Sequence, residues 1–93
     1  MFEISYDPEA AREVRRLRAR ERVRLLEEIE THLGLSPDVP SKRRKRIRLA
    51  EGGSINQLRV GDFRVFYDVE RERRLVLVRA VRMKGRKTTG EIL

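Results

Sequence analysis

The residues best placed to do chemistry are two arginines, Arg59 and Arg64, which flank a short predicted turn. The pair Gly61-Asp62 separates two runs of β-branched and aromatic residues, a pattern typical of a β-hairpin with a two-residue turn. In that hairpin Arg59 and Arg64 stand directly opposite each other, where like charges repel. We therefore expect either an anion between them or an acidic partner for each on a neighbouring strand or helix.

Strand alternation divides the side chains of this hairpin between two faces. Gln57, Arg59, Arg64 and Phe66 share one face. Two guanidinium groups beside an amide and an aromatic ring are suited to holding an RNA phosphate and stacking a base. The other face is apolar, and we assign it to the core: Leu58, Val60, Phe63, Val65 and Tyr67.

Two further groups of basic residues lie before and after the hairpin. The first places six positive charges within seven positions: Lys42, Arg43, Arg44, Lys45, Arg46 and Arg48. We predict that it contacts a nucleic-acid backbone, with counterion release as the driving force, and a solvated loop is the alternative. The second group ends the last predicted strand and enters the C-terminal segment: Arg79, Arg82, Lys84, Arg86 and Lys87. We expect the first group and the arginines of the hairpin to form one continuous basic surface.

The net charge of +8 is unevenly distributed along the 93 residues. Residues 1–33 hold seven Arg against eight Asp or Glu, a net charge of −1. Residues 34–93 hold sixteen Lys or Arg against seven Asp or Glu, a net charge of +9. This segregation indicates attraction to a polyanion, such as nucleic acid, the ribosome or an acidic protein.

Composition excludes several other classes of protein. The chain has no cysteine, so it forms no disulfide or thiolate metal site. It shows no metal-ligand spacing and no glycine-rich nucleotide motif, and we expect no cofactor and no metal. The absence of a long apolar run and of a signal-peptide pattern predicts a cytoplasmic protein without membrane contact. The length fits one domain, residues 1–93.

The elements that must position these residues follow from hydrophobic periodicity. We predict strands at 2–6, 47–50, 55–60, 63–69 and 74–82, and helices at 8–18 and 20–33. In helix 20–33, the predicted apolar stripe includes Val23. Together these elements predict an α+β fold, with an N-terminal strand and a two-helix hairpin packed on a small, mostly antiparallel sheet of three or four strands. One face of the sheet packs on the helices, and we expect the other to be free for binding.

The stretch Arg59-Val-Gly-Asp-Phe-Arg-Val-Phe-Tyr67 resembles the signature hairpin of the RelE/ParE superfamily, the toxins of bacterial type II toxin–antitoxin pairs. Elsewhere the resemblance lies in the order and spacing of the elements, over most of the chain. In the RNA-cleaving members, an arginine on the second strand of the hairpin contacts the scissile phosphate, and Arg64 has that position. A catalytic arginine lies near the end of the last strand, where Arg82 and Lys84 are the nearest matches.

This resemblance implies a toxin that enters the ribosomal A site, cleaves mRNA there and is neutralised by an acidic antitoxin. The chain departs from many RNA-cleaving members in its C-terminal segment, which has Thr88 and Thr89 but no Tyr or His. Ile55 and Gln57 also stand where relatives have paired lysines. An inhibitor of DNA gyrase, like ParE, therefore stays open as an alternative, as does a member that only binds RNA or its antitoxin.

Overall fold

The computed structural model describes residues 1–83, and this part of the chain forms two helices and a five-stranded sheet. The elements in chain order are β1 (Glu3–Tyr6), α1 (Pro8–Arg15), α2 (Ala19–Leu33), β2 (Arg44–Arg48), β3 (Ser54–Val60), β4 (Phe63–Glu70) and β5 (Leu75–Met83). The strands lie in the order β1-β5-β4-β3-β2, so β4 is central and β1 and β2 are the edges. The predicted α+β fold is confirmed.

The sheet is wider than the three or four predicted strands because β1 joins it. β1 pairs in parallel with β5, with Glu3 opposite Leu75 and Tyr6 opposite Val78. A parallel pair cannot be joined by a tight turn, and here both helices and the antiparallel strands lie between the two partners. The first half of β5 is thus paired on both edges, in agreement with its continuous apolar sequence.

Both helices pack on one side of the sheet, the first face, and the opposite side is the second face. The buried stripe of α2 is Leu25, Ile29 and Leu33, spaced four residues apart on one side of the helix. The placement of Val23 in this stripe was wrong. Val23 is 55% exposed because it lies about 200° around the helix from Leu25. Other elements complete the core with Ala10, Val14, Leu58, Val60, Val65, Tyr67, Val76, Val78 and Val81.

The two helices begin close to the predicted positions, but α1 ends at Arg15 rather than at residue 18. Arg18 has an extended backbone (φ −61°, ψ 150°), which separates α1 from α2. α2 ends before Gly34, whose N–H donates to the Glu30 carbonyl at 3.0 Å. A Cβ atom at Gly34 would lie 2.7 Å from that oxygen, so this close approach requires glycine.

The β3–β4 hairpin has the predicted turn and register. Gly61 adopts a φ of +57°, which glycine tolerates better than other residues. Val60 pairs with Phe63 across the turn. Tyr67 lies in the core, and its hydroxyl donates to the Pro37 carbonyl at 2.6 Å. This hydrogen bond ties the loop that precedes β2 to the centre of the sheet.

Part of the basic run forms a strand, which corrects both the predicted strand at 47–50 and the alternative of a loop. β2 pairs antiparallel with β3, from Arg44 opposite Leu58 to Arg48 opposite Ser54. Residues 49–53 form the turn between the two strands. Charged side chains are compatible with β2 because an edge strand leaves them in contact with solvent.

Candidate nucleic-acid interface

Three arginines from three neighbouring strands form a row on the second face, which we name the arginine row. Arg59 of β3 is opposite Arg64 of β4, and Arg64 is opposite Arg82 of β5. The predicted turn had already placed Arg59 opposite Arg64. The pairing of β4 with β5 adds Arg82 to the row. Like charges directly opposite each other destabilise a sheet, and an anion bound at the row would relieve that repulsion.

Arg64 is the central and most buried member of the arginine row, with 8% exposure. Its Nη1 donates to the carbonyl oxygens of Gly61 (2.8 Å) and Phe63 (2.9 Å), which hold the guanidinium against the turn. Burial first, and then the charge of Arg59, lower the pKa of Arg64, while Asp62 acts in the opposite direction. Arg64 keeps its charge, because an arginine side chain is not deprotonated in a protein.

Arg59 and Arg64 have no acidic partner within the described residues, in contrast to Arg82 and Arg79 of the neighbouring strand. Arg59 is exposed, and its Nη2 lies 3.5 Å from the Lys42 carbonyl. Across residues 1–83, no carboxylate lies within 4.0 Å of either guanidinium. Within residues 1–83 the expected acidic partners are therefore absent, and an anion bound between the two arginines stays a prediction.

Arg82 is in a different electrostatic situation, because two carboxylates of α1 hold it. Its Nη2 lies 3.0 Å from Glu9 Oε1, and its Nη1 contacts Glu13 Oε2. Sequence reasoning missed both acids. Their spacing of four residues, which places them on one side of a helix, was the available signal. The positive charge of Arg82 is therefore compensated within the fold.

Arg79 of β5 is compensated in the same way. Its Nε lies 3.1 Å from Asp7 Oδ2, and its Nη1 lies 3.7 Å from Asp68 Oδ2. It sits where β5 has one residue more than β4, since Phe66 pairs with Ala80 and Tyr67 with Val78. Without this extra residue, alternation would place Arg79 opposite Tyr67 on the core face. The irregularity puts Val78 there instead and leaves Arg79 free to reach Asp7 and Asp68.

The centre of the second face is covered, although we expected this face to be free. Phe66 has 0% exposure and Gln57 has 3%. The helices do not account for this burial, since they pack on the first face. The ring of Phe66, which we predicted to stack a base, and the amide of Gln57 are thus enclosed beside Arg64. Arg59 is the exposed member of the predicted group.

Alternation along β2 divides the basic run between the two faces, so it does not form one continuous surface. Lys45 is opposite Gln57 and lies on the second face with the arginine row. Arg46 and Arg48 lie on the other side of the strand, and all three side chains are exposed. Within β2, Lys45 adds one positive charge to the second face. Arg46 and Arg48 form a separate basic patch on the other side of this edge strand.

Two members of the basic run have structural partners. Arg44 donates to the main-chain carbonyls of Val39 (Nε, 2.9 Å) and His32 (Nη1, 3.0 Å). Arg43 Nη1 lies 3.5 Å from Glu28 Oε2, and Glu28 is also 3.0 Å from His32 Nε2. These contacts fasten the start of β2 to the end of α2.

The remaining predicted site residues lie at the margins. Lys42 is exposed just before β2, beside Arg59. Lys84, Arg86 and Lys87 lie outside the described residues. Within residues 1–83, no three His, Cys, Asp or Glu side chains come together as potential metal ligands.

The arginine row is suited to binding a phosphate and to stabilising negative charge that develops on it. Fixed cations in a partly buried site stabilise such charge more strongly than cations in water do. Bidentate hydrogen bonds also make arginine selective for phosphate geometry. Arginine is a poor proton acceptor, because it stays protonated at any physiological pH. The row is therefore suited to binding and to charge stabilisation, and it contains no general base.

The sequence matches a family model described as the ParE toxin of the type II toxin–antitoxin system parDE, over residues 4–87. This match covers most of the chain. The chain therefore belongs to the ParE toxin family, within the RelE/ParE superfamily that the hairpin resembles. No curated protein matches the sequence significantly.

Solved structures of RelE toxins share the fold. The RelBE2 toxin–antitoxin complex of Mycobacterium tuberculosis gives a TM-score of 0.75 at 21% identity, covering 88% of this chain and 96% of that one. The archaeal RelE–RelB complex of Pyrococcus horikoshii gives a TM-score of 0.72 at 19% identity, covering 91% of this chain and 97% of that one. The isolated RelE toxin of E. coli gives a TM-score of 0.63 at 21% identity, covering 98% of this chain and 93% of that one.

Among the described residues, neither helix is long and apolar enough to cross a membrane.

Proposed function

We propose that this chain, as one domain over residues 1–93, is a cytoplasmic toxin that acts as a ribosome-dependent mRNA interferase. The observation that carries this proposal is Arg64, a nearly buried cation with an arginine opposite it on each side. No carboxylate of residues 1–83 pairs with it. A phosphate of mRNA would neutralise this charge and accept its hydrogen bonds.

In this proposal, Arg64 binds the scissile phosphate and stabilises the charge that builds up as the 2′-hydroxyl attacks. Arg59 is exposed beside it and contacts an adjacent phosphate. Lys45, on the same face, extends this contact along the RNA backbone. Arg82 is a candidate for charge stabilisation once RNA displaces Glu9 and Glu13 from its guanidinium. Lys84, the next residue in the sequence after β5, is a candidate for proton donation.

Inhibition of DNA gyrase is the second candidate function. The matching family model describes the toxin of parDE, and residues 84–93 contain no Tyr or His that could transfer a proton at neutral pH. A gyrase inhibitor needs no general base. On this alternative, the arginine row contacts an acidic or phosphate-bearing surface without any chemical step.

We also propose an acidic antitoxin as partner. Three of the similar structures are toxin–antitoxin complexes, and a further one is an E. coli RelE mutant with an antitoxin peptide. The net charge of +9 in residues 34–93 is complementary to an acidic segment that folds on binding.

The test is induced expression in a bacterial host, followed by primer extension on a reporter mRNA from the arrested cells. We expect translation-dependent cuts inside the reading frame, and their loss in Arg64→Gln, which keeps a hydrogen-bond donor for the turn. Arrest without cuts, together with inhibited supercoiling by purified gyrase, would replace this proposal with the second candidate. Cuts of equal strength in Arg64→Gln would remove Arg64 from the proposed mechanism.

A further inference from the structure

Glu13 of α1 makes two contacts with the end of β5. Its Oε1 accepts a hydrogen bond from the Val81 N–H at 3.0 Å, and its Oε2 contacts the guanidinium of Arg82. The side chain of Glu13 is 21% exposed and that of Arg82 is 31% exposed, so this contact is partly shielded from water. Glu9, one helical turn earlier, reaches the same guanidinium from a more exposed position.

The geometry of the sheet explains why a carboxylate is needed here. β1 ends at Tyr6, opposite Val78, so β5 has no partner strand on this side beyond that point. A main-chain N–H without a partner is costly when it is partly buried. Glu13 takes the place of the missing strand at Val81 and fixes the last turn of α1 against β5.

The same carboxylate sets the charge of the arginine row. Arg82 is opposite Arg64, which already faces Arg59 on its other side. With Glu9 and Glu13 present, the end of the row carries two negative charges against one positive charge. With both carboxylates neutralised, Arg82 would carry a free positive charge beside Arg64.

We propose that Glu9 and Glu13 are positioning residues that hold Arg82 and restrain the affinity of the arginine row for RNA. This inference rests on the proposed function, because it assumes that the row binds phosphate. The carboxylates compete with an RNA phosphate for the same guanidinium. RNA reaches Arg82 only by displacing them, so wild-type protein binds with one phosphate contact fewer than the row can make.

The test measures binding of a short fluorescein-labelled single-stranded RNA of mixed sequence across a range of salt concentrations. The double variant Glu9→Gln and Glu13→Gln keeps an oxygen acceptor for the Val81 N–H. We expect this variant to bind RNA more tightly than wild type. Its slope of log K against log salt should be steeper by about 0.7, the value for one added phosphate contact on a single strand.

The matched control is Glu21→Gln with Glu27→Gln. Both of these acids are exposed on α2, and the change in net charge is the same. The proposal predicts a smaller gain in affinity and no added contact in this control. It also predicts that the steeper slope disappears when Arg82→Ala is added to the Glu9 and Glu13 variant. Equal slopes in the two double variants, or a steeper slope that survives Arg82→Ala, would overturn the proposal.

Urea denaturation separates this inference from the proposed function. If Glu13 holds Arg82, the shifts in denaturation midpoint caused by Glu13→Gln and Arg82→Ala will not be additive, whether or not RNA binds. If the shifts are not additive but the protein shows no salt-dependent RNA affinity, Glu13 does hold Arg82 and the proposal of RNA binding is refuted. Additive shifts would refute the positioning role itself.

Discussion

The two faces of the sheet treat buried polar groups in opposite ways. On the first face, the hydroxyl of Tyr67 is buried and donates to a main-chain carbonyl within an apolar core. On the second face, Arg64 is nearly as buried and carries a full positive charge beside two further arginines. Folding alone favours the first arrangement and disfavours the second. Under the proposed function, this difference means that the first face stabilises the fold and the second face binds RNA.

The largest effect that separates the two faces should come from Arg64. In cell-free translation, we expect Arg64→Ala and Arg64→Gln to raise the half-inhibiting concentration by about 10²–10³, the range for losing one charge-stabilising group. Thermal unfolding should show that both variants remain folded. The charge-matched control is Arg73→Ala, which removes an exposed ion pair with Glu70 and should inhibit like wild type. Unchanged inhibition by both Arg64 variants would break the comparison.

A large effect confined to the first face is expected at alkaline pH. Burial raises the pKa of Tyr67 to about 12, and burial with the nearby charge of Glu30 raises the pKa of Tyr6 to about 12. In the unfolded chain both tyrosines ionise near pH 10.0. The folded state therefore holds these protons more tightly, and the stability is complete below pH 10. We expect the free energy of unfolding to fall as pH rises from about 10 to about 12.

Urea denaturation across this pH range, with tyrosinate absorbance recorded in parallel, checks that expectation. Tyr6→Phe and Tyr67→Phe should each remove part of the pH dependence. Ionisation of both tyrosines near pH 10 in the folded protein would show that the core is open to solvent.

A smaller effect on the first face is expected from the Tyr67 hydroxyl. Tyr67→Phe leaves the Pro37 carbonyl without its hydrogen bond and should cost about 1–3 kcal/mol of stability. Equilibrium urea unfolding measures this change. RNA affinity, determined on the folded variant, should equal that of wild type. A change in affinity would show that the two faces are coupled through β4.

The smallest effect should appear at Arg59, with opposite signs for stability and binding. Arg59→Gln removes the like charge opposite Arg64 and should stabilise the fold by about 0.2–1 kcal/mol. The same change should weaken RNA binding by removing one phosphate contact. The matched control is Arg79→Gln, which takes a cation from Asp7 and should give no gain in stability. Destabilisation by Arg59→Gln would mean that this arginine has a structural role.

Local sequence signals were sufficient where short-range rules decide the structure. The Gly61-Asp62 turn set the register of the hairpin and therefore the pairing of Arg59 with Arg64. The α+β order of elements also followed from periodicity. The pairing of β1 with β5 joins segments about seventy residues apart, and no local pattern specifies such a long-range contact.

The candidate site was predictable in its basic residues but not in their partners. Arg82 was predicted as a candidate catalytic arginine, but its contact with Glu9 and Glu13 depends on how α1 crosses the unpaired edge of β5. The continuity of the basic run was also misjudged. We did not predict that residues 44–48 form a strand, in which successive side chains point to opposite faces of the sheet. Charge counts along a sequence do not show which charges the fold neutralises.

The most direct test of the central claim is the salt dependence of RNA binding by wild type and by Arg64→Gln. If Arg64 holds a phosphate, the slope of log K against log salt will be shallower in the variant by about 0.7. Arg73→Gln, which changes the net charge equally, should keep the wild-type slope. Equal slopes for wild type and Arg64→Gln would contradict the account, because Arg64 would then make no phosphate contact.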